Sequence, residues 1–116
     1  MKYLFILNDP PYGSERSYNG LRLASSLAKS ADASVLLFLM GDAASCAIKG
    51  QVTPSGYYNL ERMLKFLAGR SVIIGVCGSC MDVRGIKAEE IVEGAHRSSM
   101  DELNRWTLWA DKILVY

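Results

Sequence analysis

Two cysteines, Cys77 and Cys80, stand in a C-x-x-C spacing directly after the apolar run VIIGV. This spacing is compatible with a disulfide, half of a metal site, a redox dithiol, or a thiol that carries a transferred group. The chain has 116 residues and only three cysteines, the third being Cys46. The remaining residues decide which of these chemistries is favoured.

The pair lacks the partners that a structural zinc site requires. Such a site takes four ligands, commonly as two close pairs, and the only soft ligands left are Cys46 and the single histidine, His96. We therefore expect no metal and no other cofactor. The N-terminal apolar run ends in NDPP and resembles a first strand, not a signal peptide. We expect a cytoplasmic protein whose thiols stay reduced, which disfavours a structural disulfide.

The position of the pair favours a reactive thiol. A cysteine at the end of a strand that opens a helical turn lies near free backbone N–H groups, which lower a thiol pKa. Arg84 adds a positive charge nearby, and the neighbours Gly78 and Ser79 are not apolar. The spacing alone does not separate a redox dithiol from a thiolate that attacks or carries sulfur. Two thiols that only pack in the core are the remaining alternative.

Short apolar runs, separated by helical patterns, predict the elements that position these thiols. The predicted strands are Tyr3–Leu7, Val35–Met40, Val72–Val76 and Ile113–Tyr116, with a small extended piece near Gly94–His96. Helices are predicted from about Ser14, from Asn59, after Cys77 and from Ser98 or Ser99. This alternation predicts one α/β domain over residues 1–116, with a largely parallel sheet and helices on both faces.

Three loops leave the carboxyl ends of the predicted strands, where α/β proteins bind their ligands. The third contains the cysteine pair. The first loop is either an anion cradle or a plain turn with Ser14 or Ser17 as helix cap. The second loop contains Asp42, which we interpret as a helix N-cap. A catalytic role is the alternative for Asp42. The candidate binding residues of the first loop are Tyr12, Gly13, Ser14 and Glu15.

Composition argues against two classes of partner. Half of the residues are hydrophobic, 22% are charged and the formal net charge is +1, which is typical of a folded globular domain. No long basic run is present, so we expect no nucleic acid. The apolar runs are far shorter than the roughly 20 residues of a membrane-spanning helix, so we expect no membrane either.

The block C-x-x-C-x-D-x-R-G-I at Cys77–Ile86, together with PYGSE at Pro11–Glu15, resembles the DsrE/DsrF-like (TusD-like) sulfur-transfer family. Further similar stretches are LRLA at Leu21–Ala24, LFLMGDA at Leu37–Ala43 and WTLWADKILVY at the C-terminal end. The resemblance covers the whole chain. It implies a three-layer α/β/α sandwich with a mainly parallel sheet of about five strands. It also implies a homo-oligomer, either a trimer or a hexamer of stacked trimers, with sulfur donor and acceptor proteins as partners.

In sulfur-relay members of this family, a cysteine seven residues before an Arg-Gly pair carries sulfur as a persulfide. The resemblance therefore implies that Cys77 is the carrier, with Arg84 assisting, while relay members often lack a counterpart of Cys80 and have a second arginine where Val83 stands here. We expect Cys77 to be the most reactive thiol, Cys80 to have a less depressed pKa, and Cys46 to react slowest.

The same block supplies the other residues expected at the site. Backbone N–H groups at Gly78 and Ser79 are expected to hold the persulfide anion, and Asp82 belongs to the same motif. Three hypotheses remain open. The protein is a sulfur carrier with sulfurtransferase-like activity at Cys77, a thiol-disulfide redox or sensor protein that uses Cys77 and Cys80, or a non-catalytic oligomeric module that binds a small anion or a partner.

Overall fold

The computed structural model describes residues 1–116 and contains one sheet of five parallel strands in the order β4-β3-β2-β1-β5. The strands are β1 (Lys2–Leu7), β2 (Ser34–Leu39), β3 (Ile73–Cys77), β4 (Ala95–Ser98) and β5 (Lys112–Val115). The four predicted strands are confirmed to within one residue at each end. The small extended piece is also confirmed, and it forms the edge strand β4.

Four α-helices and two short 3-10 helices connect the strands. They are α1 (Arg16–Ala28), α2 (Leu60–Gly69), α3 (Gly78–Val83) and α4 (Met100–Trp109), with 3-10 helices at Gly41–Ala47 and Ala88–Glu90. Asn59 caps α2 by accepting the N–H of Arg62 at 3.1 Å, and Ser99 caps α4 by accepting the N–H of Glu102 at 3.3 Å. Both are caps that the sequence predicts.

The helices lie on both faces of the sheet, which confirms the three-layer arrangement. On one face, α1 and α2 bury a core of 21 residues that includes Leu37 and Leu39 of β2. On the other face, α4 contributes Leu103 and Trp106 to a core of only six buried residues. Continuous apolar strands suit this fold, because successive side chains of a strand point to opposite faces and both faces are covered.

The face covered by α4 alone has open space at both ends of β3. Near its carboxyl end lies a cavity of about 330 Å³ that includes Cys77, and near its amino end lies a cavity of about 580 Å³ that includes Ile73. None of the helices has the length and apolar character that a membrane crossing would require.

Candidate functional site

Cys77 ends β3 and is the N-cap residue of α3. Its Sγ accepts the N–H of Cys80 at 3.4 Å and lies 3.3 Å from Ser79 Oγ. Burial raises the pKa of the Cys77 thiol, but hydrogen bonds from Cys80 and Ser79 outweigh it, so the pKa lies below its ordinary value. The residue is only 8% exposed. Cys77 is therefore a hydrogen-bonded thiol of lowered pKa on the wall of a small cavity.

Cys80 has the opposite behaviour, although it lies only one turn further along. Burial, a hydrogen bond with the Cys77 thiol and the negative charge of Cys77 together raise its pKa. The N–H of Gly41 at 3.1 Å from Cys80 Sγ and the charge of Arg84 oppose that rise without overcoming it. Because its pKa is raised above 9.0, Cys80 keeps its proton at neutral pH.

The cation beside Cys77 is Arg97, a residue that sequence analysis missed. Ser98 is the register partner of Cys77 in the parallel pair β3–β4, so Arg97 lies next to the carboxyl end of β3. Its guanidinium binds the carboxylate of Asp82 through two hydrogen bonds of 2.7 and 2.9 Å. A Cβ on Gly78 would lie 2.8–3.0 Å from that guanidinium. Glycine at position 78 therefore makes room for Arg97.

Arg84, the predicted assistant of Cys77, faces Cys80 instead. Its guanidinium binds Asp42 at 2.7 Å and donates to the backbone oxygen of Cys80 at 3.1 Å. Asp42 is not a helix N-cap, and that prediction is wrong: Met40 holds the N-cap position of the 3-10 helix, and the Asp42 carboxylate pairs with Arg84. Each thiol thus has its own arginine–aspartate pair.

Polar groups line the cavity beside Cys77. Its polar wall residues include Ser79, Arg97, Ser98 and Ser99. Phe38 and Met100 form the apolar part of the wall. The Ser98 hydroxyl donates to Glu102 Oε1 at 2.5 Å, and His96 contacts the same oxygen.

Glu102 is held as a carboxylate at this site. Burial raises its pKa, but the hydrogen bonds from Ser98 and His96 outweigh burial and lower it. A small cavity with a guanidinium and a thiol of lowered pKa suits a small polar or anionic ligand.

The first loop does not join the thiols. Tyr12 forms a hydrogen bond with the side chain of Gln51 and accepts the N–H of Leu60 at 3.2 Å, at the start of α2. Its ring stacks on Tyr58, with 5.9 Å between the centroids. The hydrogen bonds of Tyr12 therefore fasten the loop to α2.

The other three predicted loop residues are also structural here. The Ser14 hydroxyl donates to Asp9 Oδ2 at 2.6 Å and accepts the N–H of Arg16, whereas the N-cap of α1 is Glu15, which is exposed and makes no side-chain cap bond. Neither predicted cap, Ser14 or Ser17, therefore holds the N-cap position, and Ser17 lies inside α1. Gly13 packs against Pro10, where a Cβ would lie 2.7 Å from the ring. None of these residues forms a hydrogen bond with Cys77 or Cys80.

Cys46 is a packing residue. It is fully buried, and burial raises its pKa to about 12. Nowhere does the structure bring together three or more Cys, His, Asp or Glu side chains in an arrangement that could hold a metal ion.

A hydrogen-bonded cysteine at the carboxyl end of a parallel strand, in a three-layer α/β/α sandwich, defines the class of this protein. The model of the DsrE/DsrF-like family matches residues 1–116, and the chain belongs to that family.

Individual relatives agree with this assignment. Protein YchN of Escherichia coli is 38% identical over 116 residues, which span 99% of this chain and 98% of the relative. An uncharacterised protein of Methanocaldococcus jannaschii is 33% identical over the full length of both chains.

Solved structures show the same fold. The crystal structure of Escherichia coli YchN has a TM-score of 0.93 and 38% identity, covering 100% of this chain and 99% of that chain. A protein of unknown function from Methanobacterium thermoautotrophicum has a TM-score of 0.77 at 10% identity, covering 99% of this chain and 98% of that one. At that identity the second likeness concerns the fold alone.

Proposed function

We propose that the protein is a sulfur carrier that accepts sulfane sulfur on Cys77 as a persulfide and passes it on. The observation that supports this most directly is the difference between the two thiols: the pKa of Cys77 is lowered, and that of its neighbour Cys80 is raised. Thiolates are the nucleophiles of sulfur exchange. Membership in the DsrE/DsrF-like family agrees with this chemistry.

Loading is a thiol exchange at the terminal sulfur of a donor persulfide. Cys77 Sγ, as thiolate, attacks the outer sulfur of R–S–SH. A new S–S bond forms on Cys77, the donor S–S bond breaks, and R–S⁻ leaves with the electron pair. The product is Cys77–S–SH or its anion. The N–H of Cys80 and the hydroxyl of Ser79, which contact Cys77 Sγ, are placed to stabilise the charge on either side of this exchange.

Release has two routes, which differ in the role of Cys80. An acceptor thiolate attacks the outer sulfur and takes it, which regenerates the Cys77 thiolate. Alternatively, Cys80 attacks Cys77 Sγ and expels HS⁻, leaving a Cys77–Cys80 disulfide that an external thiol must reduce. The backbone N–H of Cys80 donates to Cys77 Sγ at 3.4 Å, so the two cysteines lie close together, as the second route requires.

That same hydrogen bond favours a second candidate function. Cys77 and Cys80 would then act as a dithiol that cycles with a disulfide, the oxidant being a disulfide or peroxide. A low-pKa thiol followed by a protonated partner is the usual arrangement of such pairs. The two functions share the nucleophile and differ in whether sulfur is retained.

Intact-protein mass spectrometry distinguishes the two functions. After incubation with a low-molecular-weight persulfide, wild-type protein should gain one sulfur atom that reductant removes. Cys77→Ser should fail to load, and Cys80→Ser should load fully and release more slowly. Cys46→Ser is the matched control and should load like wild type. If Cys80→Ser failed to load and Cys77→Ser still loaded, the carrier would be Cys80 and not Cys77. A reversible loss of two hydrogens without sulfur gain would favour the redox function.

A further inference from the structure

The larger cavity of the molecule lies far from the thiols, at the amino ends of β2 and β3. It has a volume of about 580 Å³, and its wall includes Leu36, Ile73, Trp106 and Trp109. Ile73 and Cys77 are the first and last residues of β3, so the two cavities are about 13 Å apart along the strand at roughly 3.3 Å per residue. A ligand here would not contact the sulfur-carrying residue.

The wall of this cavity is positively charged. Arg70, at the end of α2, and Arg105, on α4, both belong to it, and no Asp or Glu does. Neither arginine forms an ion pair, in contrast to Arg84 and Arg97 beside the thiols. Two guanidinium groups that form no close ion pair attract an anion, and Arg105 also acts electrostatically on Glu102.

The remaining wall is aromatic and aliphatic. Both tryptophans of the chain belong to it, and Trp109 is only partly buried although it packs against the small core under α4. Ile73 is 52% exposed at the same place. Ligand sites of about 300–1,000 Å³ are mainly apolar with a few polar groups that fix orientation, and this cavity has that size and composition.

We propose that this cavity is a binding site for a planar aromatic anion, a fused-ring carboxylate, sulfonate or phosphate of about two rings. The ring system would lie against Trp106 and Trp109, where offset stacking is favourable, and the acidic group would face Arg70 and Arg105. The site is separate from Cys77 and independent of the proposed sulfur chemistry.

A matched pair of fluorescent probes tests both halves of the proposal on the full-length protein. The anionic probe is 1-anilinonaphthalene-8-sulfonate, and the neutral one is N-phenyl-1-naphthylamine, which has the same rings without the sulfonate. Calorimetry should give one sulfonate per chain, with about tenfold tighter binding than the neutral probe. Because Trp106 and Trp109 are the only tryptophans, their emission reports occupancy.

Charge-neutralising variants identify the site. The double variant Arg70→Gln, Arg105→Gln should bind the sulfonate probe about tenfold more weakly and bind the neutral probe with unchanged affinity. Arg22 lies on α1, outside the cavity. Arg22→Gln removes one positive charge, as each of the two cavity substitutions does, and should leave the affinity for both probes unchanged. Both cavity arginines are exposed, so the double variant should keep the wild-type circular dichroism spectrum.

Three results would overturn the proposal. Equal affinity of wild type and the double variant for the sulfonate would place the probe elsewhere. Equal affinity of the two probes for wild type would remove the role of charge. Absence of binding to wild type, with a change of mass by light scattering in the double variant, would make this surface a contact between copies of the chain.

Discussion

At the scale of single residues, the chemistry of the site depends on which groups donate to each sulfur. Cys77 Sγ accepts a backbone N–H and contacts a hydroxyl, so its thiolate is stabilised. Cys80 Sγ accepts one backbone N–H from Gly41, and its hydrogen bond with Cys77 favours the protonated form. The pKa values of the two thiols are shifted in opposite directions because their hydrogen bonds differ.

Replacing Arg97 should slow the reaction of Cys77. Arg97 and Cys77 attract each other electrostatically, so Arg97→Gln removes a charge that favours the thiolate and should raise the Cys77 pKa. We expect a severalfold lower rate of Cys77 alkylation by limiting iodoacetamide at neutral pH, with the pH–rate curve displaced to higher pH. Peptide mapping gives the rate at each cysteine.

Arg84→Gln is the matched control for that measurement. Arg84 acts on Cys80 and pairs with Asp42, so its loss should leave the Cys77 curve in place. An equal displacement of the Cys77 curve in both variants would contradict the assignment of Arg97 to Cys77.

Cys46 should make the protein less stable at alkaline pH. Its pKa is raised from 9.0 to about 12, so the unfolded chain ionises there first and binds fewer protons. The contribution of Cys46 to the free energy of unfolding is complete below about pH 9 and is lost between about pH 9 and pH 12, by about 1.4 kcal/mol per unit.

Urea denaturation in reductant at about pH 8 and about pH 10 measures this effect. Wild type should lose about 1.4 kcal/mol more than Cys46→Ala between these values, since all other titrating groups are common to both proteins. Equal losses of unfolding free energy in the two proteins would show that burial does not raise the pKa of Cys46.

At the scale of elements, the site depends on how closely helices approach the sheet. The strand β3 and helix α3 meet at Cys77 without an intervening loop, which fixes the thiol at the carboxyl end of β3. Helix α1 comes close to β1 because Gly20 has no side chain: a Cβ there would lie 2.6 Å from Leu7 Cδ2 and 3.0 Å from the ring of Tyr116.

Gly20→Ala should therefore destabilise the protein. Overpacking costs about 1–3 kcal/mol, which exceeds the gain of about 1 kcal/mol from replacing glycine inside a helix. We expect a net loss of about 1 kcal/mol in the free energy of unfolding by urea denaturation.

Gly69→Ala is the matched comparison for Gly20→Ala. It lies in α2, where an added Cβ meets nothing within 4 Å, so it should leave stability unchanged or raise it slightly. If both variants behaved alike, contact between α1 and β1 would not be the reason for glycine at position 20.

At the scale of the whole molecule, the face with α4 has apolar side chains that the monomer leaves in contact with water. They are Met100, Leu108, Ile113 and Val115. The strand partners of Ile113 and Val115 are Leu4 and Ile6, which pack on the α4 side, so these exposed groups share one face. Exposed apolar groups gathered on one face are typical of an interaction surface.

We predict a homo-oligomer, a trimer or a hexamer, in which Leu108, Ile113 and Val115 are covered. Light scattering should give three or six times the 12.8 kDa of the chain. Leu108→Glu, at a site 81% exposed in the monomer, should shift the protein to smaller species. Val52 is 94% exposed and lies in the loop before α2. Val52→Glu should leave the oligomeric mass unchanged. A monomeric mass for wild type would contradict the prediction.

Much of the fold follows from local patterns in the sequence. The runs at β1, β2 and β3 are continuous and apolar because both faces of the sheet are covered there, so their bounds are recognisable without a structure. The run at β5 is also apolar, although Ile113 and Val115 are exposed in the monomer. Asn59 and Ser99 cap their helices through bonds to residues only three positions away, and local contacts of this kind are encoded in short stretches. The motif around Cys77 likewise lies within one segment.

The partners of the thiols depend on contacts between distant segments, which only the tertiary structure decides. Arg97 lies beside Cys77 because β4 pairs with β3 in one register, and the polar sequence AHRS carries no apolar signal for that pairing. Arg84, nearer in sequence, turns to Asp42 and the neighbourhood of Cys80. The loop with Tyr12 likewise joins α2 through contacts between residues 48 positions apart. Sequence thus determined the sheet and the position of the candidate cysteine, Cys77, while long-range packing determined which arginine lies beside it.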